Sequence, residues 1–285
     1  MNSQPIICFG QQPCGFFPKR FLVAKINTAR SLQKEIGGRV VFFYHDSDAD
    51  YRETITLMRD MNTGADVRLN FTQENKLQKK FSPLYLKRIP VGWKEEILKQ
   101  LPRFITPPPS LPHQGGGISL NSPPLVGGVR GGENLMDIFK SITATTVADF
   151  CLEMYQKMGL LQEIEIVRSS DKTFRKTATD ITAEYFADIP YQGEIVRAKI
   201  ENNKASLHEG GGKFTNVPLP DKITKQQINP GKDERFAWMN SVIHSTHYIT
   251  GNSEYEYIKR EQFPEVKFIK REQIDQAEMA WLPNN

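Results

Sequence analysis

His45, Asp46, Asp48, Asp50 and Glu53 crowd into the single stretch HDSDADYRE. An imidazole and several carboxylates in one loop can take up and return protons, meet an amine or ligate a cation. The stretch follows VVFFY, residues 40–44, a run of β-branched and aromatic residues with the character of a strand covered on both faces. Ligands of open α/β sheets bind outside the carboxyl ends of the strands, so Asp48, Asp50 and His45 are candidate catalytic groups. The chemistry-free reading of the same residues is a helix cap, with Asp50 as N-cap and Glu53 as its partner three positions later.

A second polar set lies near the N-terminus. An apolar run at 5–9 ends in Gly10, Gln11 and Gln12. Glycine there lets a ligand approach the backbone, and the helix that follows offers free N–H groups to an anion. The pattern is not GxGxxG, so a dinucleotide fingerprint is absent. Gln11 and Gln12 each donate and accept, which suits a carboxylate, an amide or a sugar hydroxyl. Lys25, with Lys19 and Arg20, stands where a phosphate or carboxylate could be met, although the last two also read as solvated helix residues. Cys14 precedes a helix, where a thiol pKa can fall, yet nothing nearby in sequence supplies a base. Arg235 is either a bidentate clamp or an interdomain salt bridge. A glycine turn recurs at Gly251, Asn252, Ser253 and Glu254, where Glu254 either lines a site or caps its own helix.

These groups need elements to hold them. Leu22, Ile26, Ala29, Leu32 and Ile36 recur at helical spacing and Gly37-Gly38 stops them, so strand, helix and strand form a βαβ unit. A short helix is expected from Tyr51 toward Met58, a strand at 67–71, a helix at 90–101, one long helix over 135–161 and a strand at 162–167. A helix is expected at 179–188, ended by Pro190. Asn202-Asn203 predicts a hairpin between 195–200 and 205–208, and Gly210 to Gly212 a further loop. Strands at 248–250 and 266–269 close the chain, with Arg271 after the last. Residues 105–133 are almost all proline, glycine, serine and a few aliphatics, and read as a repeat-derived, disordered insertion.

Composition limits the function classes. A net charge of +4 over 285 residues, with scattered basic residues, argues against nucleic acid and for a small-molecule ligand. No apolar run approaches the roughly 20 residues of a membrane span, and the N-terminus lacks signal-peptide character. Three cysteines, Cys8, Cys14 and Cys151, have no metal-site spacing, which fits a reducing cytoplasm. A metal-dependent hydrolase is a further reading, through His45 with Asp46, Asp48 and Asp50, or through His244 and His247 on one helical face. A binding protein without catalysis is another.

The order of the motifs goes further. GQQP at 10–13, D-x-D-aromatic-x-E at 48–53, NP-x4-R at 229–235, Y-x-x-G-x-x-E-x-x-Y at 248–257 and a final strand leading to Arg271 resemble the bacillithiol biosynthesis cysteine-adding enzymes. Gly159-Leu160 and KASLHEGGGKF add to the likeness, which spans about 5–275. The resemblance implies an α/β, Rossmann-like, mostly parallel sheet with a connecting-peptide insert. Residues 1–104 and 226–285 would form the core and 134–225 the insert. It also implies a ligase that joins the carboxyl of cysteine to the amine of glucosaminyl malate, with a nucleotide such as ATP activating the carboxyl. On that reading Asp48 and Asp50 orient the amine and take its proton. Gly10, Gln11, Gln12, Lys25 and Arg235 hold substrate, and Gly251, Ser253, Glu254 and Tyr257 form the facing wall. Two features depart from the family: Ala49 stands where it usually has histidine, and the chain stops at Asn285, so the family's coiled-coil dimer is not expected.

Overall fold

In the computed structural model, which describes residues 4–105, 135–181 and 184–283, the apolar run at 40–44 is a strand with a neighbour on each edge. Its five side chains are at most 1% exposed, because an apolar layer covers each face. The proposed insertion lies, apart from Ile105, outside the described residues.

In chain order the elements are β1 (Ile6–Gln11), α1 (Arg20–Ile36), β2 (Arg39–Tyr44), β3 (Thr56–Arg59), β4 (Asp66–Leu69), α2 (Lys76–Lys80) and α3 (Trp93–Gln100). Then come α4 (Leu135–Ser141), α5 (Val147–Lys157), β5 (Ile164–Arg168), α6 (Lys172–Thr177), β6 (Tyr185–Tyr191), β7 (Glu194–Glu201), β8 (Lys204–Gly210) and β9 (Lys213–Val217). The last are β10 (Ile228–Pro230), α7 (Arg235–Ile243), β11 (His247–Thr250), α8 (Asn252–Tyr257) and β12 (Lys267–Lys270).

Five strands make one parallel sheet in the order β12-β11-β1-β2-β5, and the fold is Rossmann-like α/β. Alternation along the strands separates the two layers. Ile7, Phe9, Val40, Phe42 and Tyr44 face a core that includes Leu22 and Ile26 of α1 and Phe150 and Met154 of α5. Cys8, Val41 and Phe43 face Phe174 of α6 and Trp238 and Met239 of α7. A second sheet, β10-β6-β7-β8-β9, is antiparallel throughout. No helix among the described residues is long and apolar enough to cross a membrane.

Several expectations change here. The helix expected from Tyr51 to Met58 is a turn followed by β3, which pairs with β4 as a hairpin. The long helix over 135–161 is broken into α4 and α5. Thr146 is extended and its hydroxyl accepts from Asp149 N at 3.3 Å, starting a new helix instead of continuing the old one. The helix expected at 179–188 is replaced by β6, into which Pro190 itself falls. The proline is tolerated because β10 pairs only with 185–187, so the edge beside Pro190 has no ladder bond to lose. The hairpin at Asn202-Asn203 forms, both residues taking the positive φ that such turns demand. The region 134–225 also divides. Strand β5 pairs with β2 and α5 packs on the parallel sheet, while β10, from the last segment, joins the second sheet.

Candidate functional site

In the parallel sheet β1 runs beside β2, Gly10 opposite Phe43 and Gln11 opposite Tyr44, and beside β11, Phe9 opposite Ile249. Their carboxyl ends therefore open on one rim. A cavity of about 470 Å³ lies there, within the size range of small-molecule sites. Gly10, Gln11, Gln12, Lys25, His45, Arg235, Gly251, Ser253, Glu254 and Tyr257 all line it, so the two glycine turns and the loop after β2 meet in space. Asp50 does not. Its carboxylate turns outward to Arg52, with Nη2 at 2.6 Å, and accepts from the Arg52 amide at 3.0 Å, so it closes a turn and caps no helix.

Asp48 lies behind the wall. One oxygen accepts from Gln12 Nε2 at 2.7 Å and Arg235 Nη2 at 3.0 Å, the other from the Ala49 amide at 2.6 Å, and Arg197 Nη1 approaches at 3.9 Å. Burial raises its pKa, but Arg197 and Arg235 overcome that and hold the carboxyl well below the usual range. A carboxylate so strongly ionised is a poor proton acceptor. Its oxygens are already engaged by Gln12, Arg235 and the Ala49 amide, so in this structure Asp48 holds Gln12 and Arg235 in place. Arg235 is at once salt bridge and cavity wall.

Lys25 and Glu254 are likewise engaged with each other. Lys25 Nζ donates to Glu254 Oε2 at 2.8 Å, to Gly10 O at 2.7 Å and to Gln11 Oε1 at 3.3 Å. Glu254 also accepts from Tyr248 Oη at 2.7 Å and Gly251 N at 3.2 Å. Glu254 therefore caps its own helix while facing the cavity. The amide expected to meet an anion at that turn is already taken. This network ties β1, α1 and α8 into one wall. A Cβ built on Gly10 would sit 2.7 Å from Tyr248 Oη. Gly10→Ala must push that hydroxyl off Glu254, and a loss of about 1–3 kcal/mol of unfolding free energy is expected in urea titration.

His45 is 5% exposed, and neither ring nitrogen has a hydrogen-bond partner among the described residues. Burial and, next, Arg235 push its pKa well below that of free imidazole, so the ring is neutral. Tyr257 carries Lys232 Nζ 4.0 Å above its ring, and burial, with Glu254, pushes its pKa up to about 12. Lys232, Arg271, Glu53, Glu278, Tyr248 and Asn252 complete the polar lining. Neither Lys232 nor Arg271 has an acidic partner among the described residues; Arg271 donates to the Glu272 carbonyl at 2.8 Å.

Two supporting groups were not legible. Lys87, 1% exposed, donates to Ala49 O at 2.6 Å and Lys79 O at 2.8 Å, and so fixes the loop that carries Asp48. Burial pushes its pKa down to about 7. Arg197 comes from the second sheet, its guanidinium 3.7 Å from the Phe186 ring centroid. The available signal was the alternation in β7: Val196, Ala198 and Ile200 are buried on one face, which leaves Arg197 on the other.

The metal readings do not assemble. His244 ends α7 in a left-handed conformation and is exposed, whereas His247 opens β11, with Nδ1 2.9 Å from Thr246 Oγ1. They share no helical face. Asp46 is fully buried against Arg168, Ser169 and Ser170. Among the described residues no three His, Cys, Asp or Glu side chains are grouped to hold an ion. Cys14 is buried, which pushes its thiol pKa up and makes it inert. No family model and no curated protein matches the chain.

Proposed function

We propose that the cavity joins a carboxyl to a primary amine, the amide-forming reaction implied by the resemblance to the bacillithiol biosynthesis cysteine-adding enzymes. Cysteine would supply the carboxyl, glucosaminyl malate the amine, and a nucleotide such as ATP the activation. One observation carries the reading. Gly10 to Pro13, Asp48 to Glu53, Asn229 to Arg235, Tyr248 to Tyr257 and Arg271 are the separate segments of that resemblance, and each contributes lining to a single cavity, the second through Glu53 and not through its two aspartates. Lys232, Arg235 and Arg271 suit carboxylate or phosphate groups, with Arg able to grip two oxygens at once. Gln11 keeps its amide N–H groups for a hydroxyl or carboxylate, since only its Oε1 is engaged by Lys25.

Capture of the same ligands without turnover is the second reading, and the locked state of Asp48 favours it. Incubating the protein with ATP, L-cysteine and glucosaminyl malate, with mass-spectrometric detection of the amide, separates the two. Product that requires all three components is expected, with Arg235→Lys raising KM about tenfold through loss of the two-pronged grip. Calorimetric binding without product selects the second reading. Absence of both contradicts each.

A further inference from the structure

We propose that Glu53 is the amine-binding group of the cavity, holding the ammonium of an incoming primary amine and taking the protons its nitrogen gives up. Of the acids that follow β2, Asp46 is tied to Arg168, Asp48 to Arg235 and Gln12, and Asp50 to Arg52. Glu53 alone among them lines the cavity, and its carboxylate has no hydrogen bond or ion pair among the described residues. The cation that acts on it is Lys19, whose ammonium is already held by Glu278 at 2.8 Å. Asp48, Asp50 and Glu278 add negative charge around it, and burial is the largest influence raising its pKa. A half-buried carboxylate among other acids, whose nearby cation Lys19 is already paired with Glu278, is complemented by a further cation. The second observation is His45, nine-tenths buried, lining the same cavity with both ring nitrogens unpartnered. Its neutral ring sets no positive charge against the ammonium at that wall.

The proton role rests on the proposed amide-forming reaction. The bound ammonium gives one proton to Glu53, which sheds it to water. The neutral amine then adds to the acyl carbon of a carboxyl activated as a phosphate anhydride by a nucleoside triphosphate. The C–N bond forms, the acyl C–O bond breaks, and its electron pair leaves with the phosphate. Glu53 takes the second nitrogen proton and passes it to the released phosphate or to water.

Calorimetric titration of the full chain with D-glucosamine, against N-acetyl-D-glucosamine as the uncharged control, tests the assignment. Glucosamine should bind at least about tenfold more tightly than the control, and Glu53→Gln should remove that preference while leaving the control unchanged. Glu53→Asp, which keeps the charge, should retain part of the preference. Wild-type affinity for glucosamine should weaken as pH falls through the raised carboxyl range, with a flat profile in Glu53→Gln. Equal binding by Glu53→Gln and wild type, or no wild-type preference for the amine, overturns the proposal. Amine binding that depends on Glu53 without amide formation overturns the reaction and leaves the subsite. Amide formation by Glu53→Gln at the wild-type rate does the reverse.

Discussion

Asp48→Ala is expected to lower the unfolding free energy by about 3 kcal/mol at neutral pH, with Arg235 losing its fixed place at the cavity. The carboxylate is 14% exposed and faces Arg235 and Arg197, 21% and 11% exposed. Its removal leaves two largely buried guanidinium groups without a counter-charge, at a cost near the lower end for breaking a buried pair because some solvent reaches them. The pH dependence has a definite sign. The folded pKa lies below the unfolded carboxylate value of about 3.9, so the stabilisation is complete above that value and disappears as pH falls toward the folded one. Urea denaturation as a function of pH should show the acid loss in the parent chain and a shallower slope in the variant. An Asp48→Ala protein as stable as the parent at pH 7 would mean that the three charges do not meet.

Arg175→Met should cost more, about 3–5 kcal/mol, because both partners of the ion pair are removed from water. Arg175 is 2% and Asp188 4% exposed, with Nη1 to Oδ2 at 2.7 Å. The guanidinium also donates to Ser169 O at 2.7 Å and Gln226 O at 2.9 Å, and Asp188 accepts from Tyr85 Oη at 2.9 Å and Asn229 Nδ2 at 3.2 Å. The pair thus fastens α6, which packs on the parallel sheet, to β6 of the second sheet. Since Arg197 reaches Asp48 from that second sheet, the same fastening holds the back of the cavity in place. Adding Asp188→Asn removes the stranded charge, so the double variant should be less destabilised than the sum of the singles by about 1–3 kcal/mol. Strict additivity in thermal or urea unfolding would count against a coupled pair.

Much of the parallel core, and one hairpin of the second sheet, was legible because the signals are local. The run at 40–44, the glycine stop after Ile36 and the Asn202-Asn203 turn each act within a few residues and survive tertiary context. The fate of 179–188 was not, since ITAEYFADIP is as compatible with helix as with strand until β7 and β10 offer their edges. That Gln11 and His45 line the cavity was readable from their place at strand ends, and Glu254 from the glycine turn into α8 that follows β11. Site roles were not. Asp48 and Asp50 are two residues apart and chemically alike, yet one is captured by Arg235 from 187 residues away and the other by its neighbour Arg52. Which carboxylate stays open depends on those captures, and sequence spacing carries no trace of them.

A crystal structure after soaking with glucosaminyl malate tests most directly whether the distant segments build one working site. The ligand is expected in the cavity at the rim of β1, β2 and β11, with its carboxylates toward Lys232, Arg235 and Arg271 and its amine at Glu53. Ligand bound elsewhere on the protein, or an unchanged cavity at saturating concentration, would contradict the account.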